Sequence, residues 1–281
     1  MSALAAAPAV EVRVLSRPEE CACCEAVYRE VFGLTSNDGS INARLLVSLA
    51  RNSGMVVGAY AGGELVGFTL SFLARDGASG RLYQYSQTAA VLPAWQGRGI
   101  GRAMKFAQRA AALADGIEEL RWTFDPLRPA NAHFNLDVLG AVVTGLARDL
   151  YGAGAAPNDR GEPTDRFVVH WELASPAVEA RAALSGGEIL PSQRPEPLAL
   201  LAGQLRPGEL RLAGRAAFLC VPSDWRRFRR LSPSSAAGLR NQIIAQAGQL
   251  IDGGFVAVSC ARLDGERAVY RFTDSSRAHA G

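Results

Sequence analysis

The run Val91-Leu92-Pro93-Ala94-Trp95-Gln96-Gly97-Arg98-Gly99-Ile100-Gly101-Arg102 carries the most legible chemistry of this chain: an apolar strand end passes through a glycine-rich turn into an alanine-rich helix. Glycines at 97, 99 and 101 let successive backbone N–H groups converge without interference from Cβ atoms. A helix beginning near residue 99 adds its unpaired N-terminal amides and the positive end of its dipole. Such a turn binds an anion, and a pyrophosphate fits it.

Three ligands use turns of this kind, and spacing separates them. A Rossmann fingerprint needs G-x-G-x-x-G, but the third position after Gly99 is Arg102 and no first-strand βαβ unit surrounds the run. A P-loop needs G-K-[S/T], and the only lysine of the chain is Lys105. The pattern Gln96-x-x-Gly99-x-Gly101 is instead similar to the Q/R-x-x-G-x-G/A element of the GNAT acyltransferase superfamily, which holds the pyrophosphate of coenzyme A. The resemblance implies that Gln96, Gly97, Arg98, Gly99, Ile100, Gly101 and Arg102 bind the diphosphate. It also implies that Val91 and Leu92 offer main-chain groups to the pantetheine arm, with Leu92 the donor facing the acyl oxygen because Pro93 has no N–H. Taken by itself, the turn also reads as an ordinary glycine-rich helix start.

The residues that follow narrow the resemblance. Residues 118–125, Glu-Glu-Leu-Arg-Trp-Thr-Phe-Asp, favour a strand that Pro126 and Pro129 stop. Asn131 then caps a short helix that runs through Leu139 and ends at Gly140. Trp122-Thr123-Phe124-Asp125-Pro126-Leu127, Asn131-Ala132-x-Phe134-Asn135, Leu139-Gly140-Ala141, Tyr151-Gly152 and Asp165-Arg166-Phe167-Val168-Val169-x-Trp171 resemble a little-characterised bacterial GNAT branch, over residues 10–175 and more loosely 215–275. The resemblance implies a thioester held at the gap between the 81–92 and 118–125 strands, with Asn131 and Phe134 on the coenzyme A arm.

The remaining pattern supplies the elements that position these residues. A strand over 10–15, helices over 17–33 and 39–52, and a glycine-turned hairpin of 55–60 with 64–72 precede the central strand at 81–92. After the cradle helix, which ends before Gly116, and the 131–139 helix, strands over 141–150 and 165–173 flank a Gly/Ala/Pro-rich loop at 152–163. This succession is the GNAT order, so the fold class is α+β with a mixed sheet. A helical stretch from Pro176 to Leu184 opens a linker over 176–200 between a catalytic domain, 1–175, and a C-terminal subdomain, 201–281. Within that subdomain a strand over 218–221, helices over 223–231 and 234–250, and a hairpin of 254–261 with 267–272 repeat the order of the N-terminal half. Gly54-Met55-Val56-Val57-Gly58-Ala59 parallels Gly254-Phe255-Val256-Ala257-Val258-Ser259. The extension therefore reads either as half a GNAT domain without a cradle, shaping the acceptor site, or as an unrelated α+β segment.

Composition agrees with a packed, soluble enzyme: 281 residues, 48% of them hydrophobic, bury a sizeable core. A net charge of +3 points to no nucleic-acid or membrane partner, no apolar run approaches the ~18–20 residues that span a bilayer, and the N-terminus lacks a signal peptide's basic start. The expected location is the cytoplasm of a bacterium. Cys21, Cys23, Cys24, Cys220 and Cys260 form neither a disulfide framework nor, without nearby histidines or a second pair, a metal site.

The expected activity is transfer of an acyl group, by default from acetyl-CoA, to an amine of a small molecule or peptide. A lysine-like amine has a pKa of ~10.4, so the site must remove a proton and stabilise an oxyanion. Acceptor identity, acyl length and a possible homodimer stay open, as do two other readings: a longer-chain acyltransferase, permitted by the small Ala89 and Ala90, and a shell that binds coenzyme A without turnover. GNAT enzymes commonly place a glutamate near the central strand and a tyrosine in the helix after the fifth strand. Here the helix holds Leu136 and Asp137, and Ser86-Gln87 stands where related sequences of this branch show Ser-His. The remaining proton carriers are Asp125, a base or a turn-former, and Tyr85, an acid or a half-buried strand aromatic. Tyr83 and His133 are weaker candidates, and Asp165-Arg166 reads as a structural ion pair.

Overall fold

A computed structural model of the chain describes residues 9–35, 41–152, 162–184 and 205–277. The loops expected at 33–40 and 152–163 and the linker expected at 176–200 lie largely outside the described residues. The chain divides into two compact units, residues 1–120 and 121–281.

In the first unit the elements run β1 (Val10–Val14), α1 (Pro18–Phe32), α2 (Ala43–Arg51), β2 (Met55–Ala61), β3 (Glu64–Arg75), β4 (Leu82–Val91) and α3 (Ile100–Ala114). The strands are antiparallel in the order β1-β2-β3-β4. Gly62 (φ 59°) and Gly63 (φ 87°) close the β2–β3 hairpin, a two-residue turn that needs positive φ at both positions and matches the strand twist. Leu15, Cys21, Cys24, Val27, Leu46, Val56 and Phe68 form the core on the α1–α2 side. Burial pushes the Cys24 thiol up to about 12, so this residue behaves as a small apolar group. Leu70 faces Thr88 while Ser71 faces Ser86, which leaves Gln87 as an extra, bulged residue in β4. A bulge bends its strand and re-aims the side chains beyond it, here the stretch that leads into the glycine turn.

In the second unit, β5 (Glu119–Phe124, beginning across the boundary) leads to α4 (Pro129–His133), a π-helical turn (Phe134–Val138), β6 (Val142–Ala147), β7 (Arg166–Glu172) and α5 (Pro176–Ala183). Then follow β8 (Leu210–Ala213), β9 (Ala216–Pro222), α6 (Trp225–Leu231), α7 (Pro233–Asp252), β10 (Phe255–Arg262) and β11 (Arg267–Asp274). The strand order is β5-β7-β6-β10-β11-β9-β8. Phe167 on β7 is the hub of an aromatic core, its ring 5.7 Å from Phe124, 5.5 Å from Tyr270 and 6.4 Å from Phe272. No helix among the described residues is long and apolar enough to cross a membrane.

Three expectations change. The helix after β5 starts earlier: Arg128 is its N-cap and Pro129 its first residue, a position where the missing N–H costs nothing, so Asn131 is not a cap. The next turn is π-helical, and Gly140 (φ 79°) then releases the chain. The C-terminal segment has the order strand, helix, helix, hairpin, but its pairing differs from the N-terminal one. β1 pairs with the first strand of its hairpin, whereas β9 pairs with the second. The reason is edge availability: β10 is taken by β6 through Ala257 and Val143, and β3 by β4. The two segments share a succession of elements but not the pairing of their strands.

Trp171 on β7 is fully buried, packs edge-on to Trp122 at 5.9 Å and donates its indole N–H to the Leu139 carbonyl at 2.9 Å. Trp171→Ala is expected to lower stability by about 3–5 kcal/mol. Trp171→Phe, which leaves a smaller aromatic ring and strands the Leu139 carbonyl, should cost less, about 1–3 kcal/mol. Urea midpoints measured for the two variants check this ranking.

Candidate active site

The cradle lies wholly in the first unit. After β4 a short 3₁₀ turn, Pro93–Trp95, is locked by Trp95 N–H to the Leu92 carbonyl at 2.8 Å, and the Gln96 side-chain amide donates to the Val91 carbonyl at 2.9 Å. The amides of Gly97, Arg98, Gly99, Ile100 and Gly101 then have no acceptor among the described residues, and the first helical bond is Ala103 N–H to Gly99 O at 3.0 Å. Gly97 (φ 75°) and Gly99 (φ 77°) hold left-handed conformations, and a Cβ placed on either would meet no atom within 4 Å. At these two positions glycine is required by backbone conformation rather than by room. Gly101 has an ordinary helical φ in the first turn. The Arg98 guanidinium lies over the Trp95 ring at 4.8 Å and that of Arg102 over Phe106 at 4.7 Å.

One sequence-derived role moves. The Leu92 N–H donates to the Val66 carbonyl at 2.9 Å, so it is bonded within the sheet and does not face an acyl oxygen. Alternation along an antiparallel strand turns the Ala89 and Val91 amides to the edge of β4 away from β3. Tyr85, cross-strand from Phe72, is half-buried with the two rings 5.4 Å apart.

Sequence reasoning missed the polar cluster behind the cradle. Lys105 on α3 is buried, and its Nζ donates to Gln108 Oε1 at 2.6 Å and Ser86 Oγ at 3.0 Å. Burial lowers its pKa to about 7. The signal was present: Ile100, Met104, Gln108 and Ala112 form the buried stripe of α3, and a glutamine in that stripe marks a polar interior.

The other expected residues lie in the second unit. Asp125 closes an Asx turn, its carboxylate accepting from Leu127 N–H at 2.9 Å and from Arg128 Nε at 3.4 Å. Asn131 is exposed within α4, and Phe134 is half-buried at the start of the π turn. His133 Nδ1 lies 3.0 Å from the buried Asp137 carboxylate, which raises the imidazole pKa chiefly through that hydrogen bond. The expected Asp165–Arg166 pair is replaced: Asp165 bonds Arg240 on α7 at 2.5 Å, while Arg166 donates to the Asp165 carbonyl at 3.1 Å and lies over the Tyr151 ring at 5.5 Å. Burial of Asp165 rewards the partner that is itself buried.

Residues 25–136 match the model of the acetyltransferase (GNAT) family. Over those residues the chain is similar to the GNAT acetyltransferases. No curated protein matches the chain. Among solved structures, a Salmonella typhimurium protein solved with acetyl-CoA is 18% identical over 58% of this chain and 94% of its own, with a TM-score of 0.49. A GNAT-family acetyltransferase of Streptococcus pneumoniae is 17% identical over 58% and 98%, with a TM-score of 0.46. An aminoglycoside acetyltransferase from an uncultured soil metagenomic sample, solved with trehalose, is 21% identical over 44% and 84%, with a TM-score of 0.40. Among the described residues no group of three or more His, Cys, Asp or Glu could hold a metal.

Lys105 makes stability pH-dependent. Below about pH 7 the ammonium is charged in both folded and unfolded chains, and the folded state carries the whole cost of burying it. Between about 7 and the ordinary 10.5 only the unfolded chain holds the proton, so stability rises with pH, on the order of 1 kcal/mol per unit. Urea unfolding of the parent and of Lys105→Met at pH 7 and pH 9.5 is expected to show the parent gaining on the variant by that amount, because the buried thiols that ionise on unfolding are common to both.

Proposed function

We propose that this GNAT domain transfers an acyl group, with acetyl-CoA as donor, to the amine of a small molecule or peptide by direct attack on the thioester. The observation that carries the reading is the row of amides from Gly97 to Gly101, presented at the N-terminus of α3 with no acceptor among the described residues. A diphosphate satisfies them together, adds charge-assisted hydrogen bonds and lies at the positive end of the helix dipole. The guanidinium groups of Arg98 and Arg102, held on aromatic rings, flank it. Gln96 fixes the Val91 carbonyl and so the strand end, while the amides of Ala89 and Val91 meet the pantetheine arm. Asn131 and Phe134 are proposed to contact the same arm. Placement of the thioester supplies most of the rate.

Tyr85 is proposed as the acid that protonates the leaving thiolate, and Asp125 as the base, acting through water on a carboxylate whose turn bonds leave acceptor capacity. A binding-only shell is the second reading, favoured by that same engagement of Asp125 in its turn.

Gly99→Val with Gly101→Val is expected to weaken acetyl-CoA binding at least ~10-fold by calorimetry, with an unchanged circular dichroism spectrum, because side chains intrude on the amide row and position 99 resists the left-handed conformation. Unchanged affinity in the folded double variant would remove the assignment. Asp125→Asn retains the oxygen that accepts from Leu127, so the turn survives. Thiol release should nonetheless fall ~100-fold if the carboxylate is the base, and stay level if it is only a turn-former.

A further inference from the structure

Within the first unit, β1 is an edge strand. Among the described residues it pairs with β2 alone, in an unbroken register from Val10 opposite Ala61 to Val14 opposite Val57. Just past its end the Leu15 N–H donates to the Val56 carbonyl at 2.8 Å. Alternate residues of an antiparallel strand bond the same neighbour, so Glu11 and Arg13 also turn their amides to β2, and Val10, Val12 and Val14 turn their N–H and C=O groups outward. Edges are commonly blunted by a proline, a bulge or a lysine. β1 carries none of the three.

The edge is self-complementary. Val-Glu-Val-Arg-Val sets three valines on one face and one charge of each sign on the other. A two-fold axis through Val12 places a second copy antiparallel to the first, with Val10 opposite the partner's Val14, Val12 opposite the partner's Val12 and Glu11 opposite the partner's Arg13. Because the valines carry the outward groups, each valine pair exchanges two hydrogen bonds, about six in all. Val10 and Val14, 37% and 49% exposed, then cover one another across the axis.

Charge selects this register. Arg13 is held by Glu20 at 2.6 Å and lies over the Tyr60 ring at 4.6 Å, and the Glu11 carboxylate, on a side chain 70% exposed, lies 3.2 Å from Arg13 Nε. With the axis at Val12, the Glu11–Arg13 pairs of the two copies form one alternating, neutral cluster. An axis one residue away sets Glu11 against the partner's Glu11, or Arg13 against the partner's Arg13, and like charges directly opposed are destabilising.

We infer that β1 is a self-association edge whose partner is a second copy of this chain, joined antiparallel about Val12 so that the two sheets run on as one. The contact is isologous and therefore closes at two copies. Five residues a side make a small interface, so the dissociation constant falls on the order of 10–100 µM.

Sedimentation velocity of the full chain from about 1 to about 500 µM is expected to show monomer passing to dimer. Glu11→Arg, which opposes the partner's Arg13 with a like charge, should weaken the dimer at least ~5-fold. Val12→Pro removes the central outward N–H and no bond to β2, so it should abolish the dimer with an unchanged circular dichroism spectrum. If that variant does not fold, Glu11→Arg decides. Register is read by oxidation in a background where the exposed Cys23 is replaced, Cys23→Ser. Val12→Cys should cross-link, since position 12 meets itself at about 5.5 Å between Cα atoms, and Val14→Cys should not, its two copies lying roughly 13 Å apart along the pair. A chain that stays monomeric throughout, a dimer that either folded variant leaves unchanged, or cross-linking through Val14→Cys rather than Val12→Cys would overturn the inference.

Discussion

Backbone amides with no acceptor of their own set the terms for the first unit. Orphaned N–H groups are tolerable only where water or a ligand reaches them, so the Gly97–Gly101 turn has to stand at the surface. It must also be stiff enough to hold several donors in one direction. The 3₁₀ turn, the Gln96 bond to Val91 and the two arginine–aromatic contacts supply that stiffness without using the amides. The strand feeding the turn is bent by one extra residue, Gln87, and backed by the buried amine of Lys105. Polar groups at such a depth are an expense that a purely structural strand would not carry.

In the second unit the organising contact is the buried pair of Asp165 and Arg240. It joins the start of β7 to α7, and Arg240 also donates to the Pro163 carbonyl at 2.7 Å. A guanidinium that bridges a carboxylate and a carbonyl gives directional specificity where an apolar contact would slide. A cleft lined by seven arginines opens beside this anchor, and the pair of Glu162 with Arg229 braces its wall.

Much of the fold was legible in the sequence, for identifiable reasons. Glycines at 62, 63, 97 and 99 all adopt positive φ, and these positions punctuate the chain where the pattern placed turns. Strand and helix periods were clear because one face of each element is buried. Pairing was not legible: which edge β9 joins depends on β10 having been taken by β6, a fact about distant residues. Helix starts were less clear than helix existence, because Pro129 served equally as a strand stop and as a first helical residue. At the site, the amide row could be read from glycine spacing. The bonded state of Leu92 N–H and the depth of Lys105 follow from strand register and helix rotation, which local sequence does not specify.

The junction of β6 with β10 decides what the C-terminal segment means for the rest. A fragment ending after β7 would leave Phe167 without Tyr270 and Phe272, Asp165 without its guanidinium, and β6 as a bare strand edge. Bare edges template association between copies. The strands from β5 to β7 are therefore not self-sufficient within their unit, and losing the C-terminal strands would uncover the flank that those strands conceal.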